Sequence, residues 1–194
     1  LYIYIFDGNG NLKGYKGITS GLNQNTDNNQ KATVSGIKTR SGDSYIYAVA
    51  NYNTGRYPLT VSEEKVETGK LPINLNEDMA RAGEYPFTLN DLKALKFQRN
   101  VDDQISITDA FLMSGAVNSG KIVNINTAGN VTSNNTNDNA IRLSRIVSKV
   151  KFTIKEYKDD GVKRSFKLAN YDIMNIAKNG TLIGSIDRND KKPI

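Results

Sequence analysis

The sequence contains no cysteine, no histidine and no tryptophan. Without cysteine, the chain cannot build a disulfide framework, a zinc ribbon, a thioredoxin-type redox motif or a cysteine nucleophile. Without histidine, it lacks the commonest general base and the commonest transition-metal ligand. An enzyme of this composition would have to work with carboxylates, lysine, tyrosine, serine and threonine alone. The composition therefore favours a protein that is not an enzyme and that requires no metal or organic cofactor.

Long apolar runs are also missing, and no stretch approaches the roughly 18 residues of a membrane span. A chain of 194 residues can bury a sizeable core without a metal or a disulfide. We expect residues 1–187 to form one domain and residues 188–194 to be the start of a linker. Because the chain opens at Leu1 inside a strand pattern, we interpret it as a processed or trimmed product whose targeting segment, if any, lies upstream.

The net charge of +6 is spread along the chain and not collected in one block. A nucleic-acid-binding surface normally concentrates lysine and arginine on one face or along one helix. The diffuse pattern predicts a solvated basic surface, so we expect no nucleic-acid partner.

The opening strand is apolar on both faces, which consist of Leu1, Ile3 and Ile5 and of Tyr2, Tyr4 and Phe6. Both sides of such a strand must be covered. A Gly- and Asn-rich turn at residues 7–11 predicts a hairpin whose second arm spans residues 12–16. The clearest strand in the chain is SYIYAVANY, residues 44–52.

Further strands are predicted at residues 31–38, 110–114, 121–126, 165–177 and 181–186. Helices are predicted at residues 60–70 and 88–98, the second capped by Thr88 or Asn90, and hairpin turns at residues 159–161 and 179–180. Strands and helices do not alternate as they do in a parallel α/β protein. The pattern therefore predicts a mainly β fold, an antiparallel two-sheet β-sandwich of about seven strands with one or two short helices inserted.

Residues 146–155 alternate strictly between apolar and mostly basic positions, which is typical of a half-buried strand. Its inward face would carry Ile146, Val150, Phe152 and Ile154. The full predicted core consists of Ile46, Val49, Leu112, Ile146, Val150, Phe152, Ile154, Phe166 and Leu168.

Three sequence features resemble chemical motifs. The D-x-N-x-N pattern at residues 7–11 opens like a calcium loop, but Leu12 stands where that loop needs Gly and Ile18 where it needs Glu. The carboxylate pairs 102–103 and 159–160 could serve acid–base chemistry only if they were held across a cleft. Neighbouring carboxylates splay apart in a turn, so solvated loops are the favoured interpretation of both pairs. We predict no catalytic, cofactor-binding or metal-binding residues.

Four segments, in this order, resemble the N-terminal domain of the Bacteroidales fimbrillins, the subunits of type V pili. They are IYIFDGNG (residues 3–10), YIYAVAN (45–51), FLMSG (111–115) and IRLSRIVSKV (141–150). The last is similar to the family's Leu-x-Arg-x-x-Ala-Lys-Val strand, although Ser148 replaces the usual Ala. A longer insert over residues 53–110 also departs from the family.

The resemblance implies a transthyretin-like sandwich, export as a lipoprotein precursor, and polymerisation by donor-strand exchange after an N-terminal strand is removed. It implies a structural subunit of a cell-surface fimbria that supports adhesion, anchored to the outer membrane through its precursor or a partner. The expected partners are other pilin subunits, together with host or bacterial surface ligands. We place the strand-exchange edge at Leu1, Tyr2, Ile3, Tyr4, Ile5 and Phe6, since an apolar strand edge can accept another chain.

A second hypothesis keeps the same sandwich but makes it a surface adhesin, a carbohydrate- or protein-binding module. The ten tyrosines could supply stacking platforms for a ligand, although packing in strands is the alternative explanation for them. Polymerisation through a terminal strand would distinguish the fibre subunit from the binding module.

Overall fold

In the computed structural model of the chain, the described residues are 1–20, 32–52, 59–60, 71–98, 112–132, 140–145, 158–159, 162–163 and 179–183. Their strands are β1 (Tyr2–Asp7), β2 (Leu12–Gly17), β3 (Gly42–Ala50), β4 (Leu59–Thr60), β5 (Lys96–Gln98), β6 (Met113–Ala116), β7 (Val123–Ile125), β8 (Val131–Thr132), β9 (Ser144–Arg145), β10 (Lys158–Asp159), β11 (Val162–Lys163) and β12 (Asn179–Thr181). The helices are α1 (Glu77–Ala82) and α2 (Leu89–Ala94), and a tight 3₁₀ turn spans Val117–Gly120.

Seven of these strands form one antiparallel sheet in the order β2-β1-β3-β6-β9, with β7 and β8 attached beside β3. Tyr47 of β3 pairs with Tyr4 of β1 and also with Ala116 of β6. Ser44, nearer the start of β3, pairs with Asp7 on one side and Val123 of β7 on the other. Strand β3 is therefore flanked by β1 along one side and by β7 and β6 in turn along the other.

The strand β1 divides the core into two clusters because its side chains alternate between two apolar faces. Tyr2, Tyr4 and Phe6 belong to one cluster, which also contains Ala80 of α1 and Leu92 of α2. Ile3 and Ile5 belong to the other, which contains Ile46, Ala48, Val117, Val123 and Ile125. Both faces of the sheet are covered, as the opening strand pattern predicted.

Both helices begin at residues whose side chains cap them, and α1 ends at a glycine in the left-handed conformation. The Asn76 side chain accepts hydrogen bonds from the first-turn amides of α1, and Gly83 ends the helix with φ of 82°. Thr88 and Asp91 form a reciprocal capping box at the start of α2. Ala80, Leu89 and Leu92 are buried on the helix faces that meet the sheet. The helices thus cover the face that carries Tyr4 and Phe6.

Two smaller sheets complete the described structure. Strand β5 pairs with both β4 and β12, and β10 pairs with β11 across the predicted turn at residues 159–161. Leu182, directly after β12, is fully buried in the cluster of Tyr4 and Phe6. The Ser114 hydroxyl donates a 2.5 Å hydrogen bond to the Leu182 carbonyl. This contact ties β6 of the large sheet to the end of β12.

The observed fold is mainly β, with an antiparallel sheet and two short helices, which confirms the coarse prediction. The predicted core residues Val49 and Leu112 are fully buried and Ile46 is 6% exposed. The other six predicted core residues lie outside the described residues: Ile146, Val150, Phe152, Ile154, Phe166 and Leu168. Residues 61–70 of the predicted helix, the linker 188–194 and the whole predicted strand at 146–155 also lie outside them. Thr60, where that helix was predicted to begin, lies in β4.

Three local predictions were wrong. Residues 32–38 form no strand, because this segment crosses one face of the sheet, where Val34 and Ile37 pack. The helix predicted to reach Gln98 ends at Ala94, since residues 96–98 pair with two other strands. Asn179 and Gly180 lie in β12 and not in a hairpin turn, because they pair with Gln98 and Phe97.

Candidate functional site

The strand predicted to be the strand-exchange edge lies inside the sheet. Strand β1 pairs with β2 from Tyr2 to Phe6 and with β3 from Tyr2 to Asp7. The assignment of Leu1, Tyr2, Ile3, Tyr4, Ile5 and Phe6 to an exchange edge is therefore wrong. Apolar side chains on both faces show that both faces are covered, but they carry no information about the hydrogen bonds in the plane of the sheet.

Among the described strands, β2 is the last of the sheet on one side, and its edge is covered by a segment that follows the predicted strand 31–38. Gly14 forms an antiparallel bridge with Thr39, and the Thr39 hydroxyl donates to the Lys13 carbonyl at 3.1 Å. The approach is close, since a Cβ at Gly14 would lie 2.9 Å from the Thr39 Cβ. Unpaired edges invite pairing with other chains. This edge is already occupied at its centre.

A β-bulge places Lys13 at this edge with its side chain buried. The register between β1 and β2 shifts between Ile5 and Phe6, which pair with Gly14 and Leu12 and leave Lys13 as the extra residue. Bulges bend a strand and redirect a side chain. Although Lys13 carries an ammonium, it is only 2% exposed.

The Lys13 ammonium is held by backbone carbonyls. Its Nζ donates to the carbonyls of Ser41, Gly42 and Asp43 at 3.4, 3.3 and 3.0 Å. Burial lowers the pKa of Lys13, while the Asp7 and Asp43 carboxylates act in the opposite direction. A buried ammonium needs compensating hydrogen bonds. The three carbonyls supply them at the point where the chain enters β3.

Two ion pairs join α1 to β2 and to the segment beside it. Lys16 of β2 meets Glu77 at 2.9 Å, and Lys38 meets Asp78 at 2.8 Å. Both acidic residues lie in the first turn of α1, where negative charge is favourable. Exposed ion pairs such as Lys38–Asp78 contribute little free energy. The half-buried Lys16–Glu77 pair joins α1 directly to β2.

On the opposite side of the sheet, the two-residue strand β9 pairs with Met113 and Ser114 of β6. The backbone just before β9 approaches Gly115 so closely that a Cβ there would lie 2.3 Å from the Arg142 carbonyl oxygen. Only glycine leaves room for that approach. Within the described part of the chain, β9 has one neighbouring strand.

A polar cleft of about 280 Å³ lies between the turn after β1 and the start of α2. The residues that line it include Asn9, Asn90, Tyr45 and Lys93. The Lys93 Nζ lies 5.9 Å from the centre of the Tyr45 ring. The Asp7 carboxylate closes the turn by accepting hydrogen bonds from the backbone amides of residues 9 and 11, both at 2.9 Å. The cleft could accept a small polar molecule with hydrogen-bonding groups.

The same use of Asp7 explains the calcium-like motif at residues 7–11. Its carboxylate folds back on its own turn, as an Asx turn does. In the described ranges, no group of three or more acidic side chains could hold a metal ion. Residues 102–103 lie outside those ranges.

Three tyrosine hydroxyls fix residues 71–73 against the sheet, a feature that sequence reasoning did not identify. Tyr4 donates to the Pro72 carbonyl at 2.8 Å, Tyr15 donates to the Ile73 carbonyl, and Tyr52 accepts from the Leu71 amide at 3.2 Å. Burial raises the pKa of Tyr15 to about 12 and raises that of Tyr4 further. These tyrosines pack in the core and do not present their rings to a ligand.

Comparisons with protein-family models, with curated proteins and with solved structures find no match to this chain. Neither helix among the described residues has the length and apolar character that crossing a bilayer requires.

Proposed function

We propose that the chain is a non-enzymatic structural subunit of a cell-surface fimbria, built on a transthyretin-like β-sandwich and assembled by strand addition. One observation carries the proposal. The four sequence segments that resemble the fimbrillins contain or overlap β1, β3, β6 and β9, which are successive neighbours in one sheet. Segments that were separate along the sequence thus form a continuous structural unit.

The packing is consistent with a building block. A sheet with apolar clusters on both faces gives a rigid body, and antiparallel strands can be extended by an added strand through backbone hydrogen bonds. The interior position of β1 changes one part of the expectation. A donor strand would pair elsewhere on the molecule and not along residues 1–6. The proposed partners are other pilin subunits at the outer membrane.

Assembly tests this proposal directly. The purified chain should form ladders of oligomers on unheated denaturing gels and filaments under the electron microscope. The ladders should persist at high ionic strength, because backbone pairing and apolar burial are screened far less than surface charge. A chain that remains monomeric at high concentration and alongside candidate pilin subunits would overturn the proposal, as would oligomers that dissociate when salt is raised.

A binding module is the second candidate, and the polar cleft supports it. Tyr45, Lys93 and the two asparagine amides could contact a hydroxylated or acidic sugar. A glycan array with the wild-type chain and with Tyr45→Ala would test it. Glycan binding that Tyr45→Ala abolishes, in a chain that forms no ladders, would favour the module over the fibre subunit. Lys93→Met should weaken binding of an acidic sugar, and Lys121→Met, away from the cleft, is its matched control for a general change in charge.

A further inference from the structure

An exposed sheet edge in a secreted or surface protein is a site for unwanted pairing, and proteins use charge, bulges or covering segments to close it. Strand β2 has all three features in one place. It carries the bulge at Lys13, it presents Lys16, and its centre is bridged by Thr39.

We propose that residues 38–43, here named the strap, close the β2 edge, that Lys13 locks the strap in place, and that strands add to this sheet only from its other side. The last clause rests on the proposed function. The first two concern the isolated chain and stand without it.

The lock has a specific geometry. Thr39 binds the carbonyl of Lys13, and the ammonium of the same residue binds the carbonyls of Ser41, Gly42 and Asp43. One bulge residue therefore holds both halves of the strap, through its backbone and through its side chain. Removing the ammonium leaves three carbonyls without that donor, and removing the hydroxyl leaves only the backbone bridge between Gly14 and Thr39 at the centre of the edge.

A closed β2 edge limits the side of the sheet at which another strand can pair. If both outer edges were open, two copies could pair through β2 in a symmetric dimer that ends growth on that side. With β2 covered, this symmetric pairing is removed, and a strand donated by another subunit can pair only at the β9 side of the sheet. The strap would thus remove one closed pair that competes with strand addition.

Hydrogen exchange on the monomer tests the strap. In the wild type, the amides of residues 12–17 and 38–43 should be protected and should open together. Lys13→Met keeps the apolar stem of the side chain, and Thr39→Val keeps its shape. Each should speed exchange in both segments by about tenfold or more while β1 and β3 keep their protection. Sedimentation of concentrated samples should also reveal a dimer in these variants.

Two controls accompany these variants. Lys38→Met removes the exposed ion pair to Asp78 from the same segment and should leave exchange in β2 unchanged. Thr39→Ser restores the hydroxyl and should restore protection. Wild-type β2 amides that exchange as freely as an open edge would overturn the strap, even if the variants failed to fold. Unchanged β2 exchange in both folded variants would also overturn it.

The outcome is separable from that of the proposed function. Strap-dependent exchange in a chain that forms no ladders would preserve the strap and remove the fimbrial role. If the chain forms ladders but exchange in β2 is unchanged by the Lys13 and Thr39 substitutions, the fimbrial role is preserved and the strap is removed.

Discussion

At the scale of single residues, the tyrosines combine apolar packing with one polar contact each. Tyr4, Tyr15 and Tyr52 fill the cluster between the sheet and the helices, and their hydroxyls reach the backbone of residues 71–73. A buried phenol usually finds a partner, because an unpaired hydroxyl costs free energy. The segment before α1 is positioned by these side chains and not by a strand ladder.

The alkaline stability of the chain should depend on Tyr15. Its pKa is raised from an ordinary value of 10.0 to about 12, so its neutral form is favoured in the fold. This contribution is complete below pH 10 and is lost as the pH rises towards 12. Tyr15→Phe should lower the free energy of unfolding at neutral pH by about 0.5–1.5 kcal/mol. It should also lose less stability than the wild type on alkalinisation.

Urea midpoints of both proteins, measured across the alkaline range, check this prediction. Tyr4 remains in both proteins, so its titration is common to the two curves. Parallel curves would contradict the role assigned to Tyr15.

Residue patterns predicted the α2 cap but missed α1. Thr88 was one of two predicted caps and forms the capping box with Asp91. The same signals were present around α1, where Asn76 precedes two acidic residues and Gly83 follows the last turn. Capping residues can therefore identify a six-residue helix, although a helix of that length is too short for its apolar residues to show a helical repeat.

At the scale of elements, the approach of β9 to β6 depends on one missing side chain. Gly115→Ala would place a Cβ 2.3 Å from the Arg142 carbonyl oxygen. The backbone cannot yield as a flexible side chain can, so we expect a loss of about 1–3 kcal/mol in unfolding free energy. Gly8→Ala is the control, because its Cβ would meet Asp43 at an ordinary 3.4 Å.

Chemical denaturation of the two glycine variants measures the difference. Amide exchange in residues 113–116 should rise in Gly115→Ala alone. Equal midpoints for both variants would mean that the close approach does not constrain the pairing of β6 and β9.

The predicted strand at residues 146–155 can be tested in the same way. If Phe152 is in the core, Phe152→Ala should cost about 3–5 kcal/mol. Lys151→Ala, on the predicted outer row, should change stability by no more than about 0.5 kcal/mol. A small urea shift for Phe152→Ala would place that side chain outside the core.

Local patterns predicted the first half of the sheet because its signals are local. Apolar runs and a Gly-Asn turn specify β1 and β2 without distant help, and β3 follows from its own run of aromatic and β-branched residues. The predictions for residues 32–38 and 179–180 were wrong for the opposite reason. Their structure depends on the face or strand they meet, which neighbouring residues do not encode.

At the scale of the whole molecule, the candidate site was the least predictable part. The alternation of apolar side chains indicates which faces of a sheet are covered. An edge is defined instead by backbone hydrogen bonds, which lie in the plane of the sheet and perpendicular to the side chains. Nothing in residues 1–6 indicates that β2 and β3 lie on either side of them. The sequence likewise did not predict the bulge that buries Lys13, because a lysine in a strand is ordinarily solvated.

Divalent cations should leave the stability of the molecule unchanged. The Asp7 carboxylate is already engaged by its own turn, so calcium gains no preformed site there. A cation bound at a hundred times its Kd would add about 2.7 kcal/mol. Thermal unfolding with calcium and with a chelator should therefore give the same Tm. A rise in Tm with calcium, or transition metal in stoichiometric amounts by elemental analysis, would contradict this prediction.

The central position of β1 also governs how the molecule would bear mechanical load. A pull on Leu1 along the strand axis would act on two antiparallel ladders at once, because β1 is bonded to β2 and β3 over nearly its whole length. Those bonds would be loaded in shear and would have to fail together. Strand β9, held by two residue pairs in the described part of the chain, could instead peel away one pair at a time. Tension applied at Leu1 would therefore load the two ladders of β1 before it reached β9.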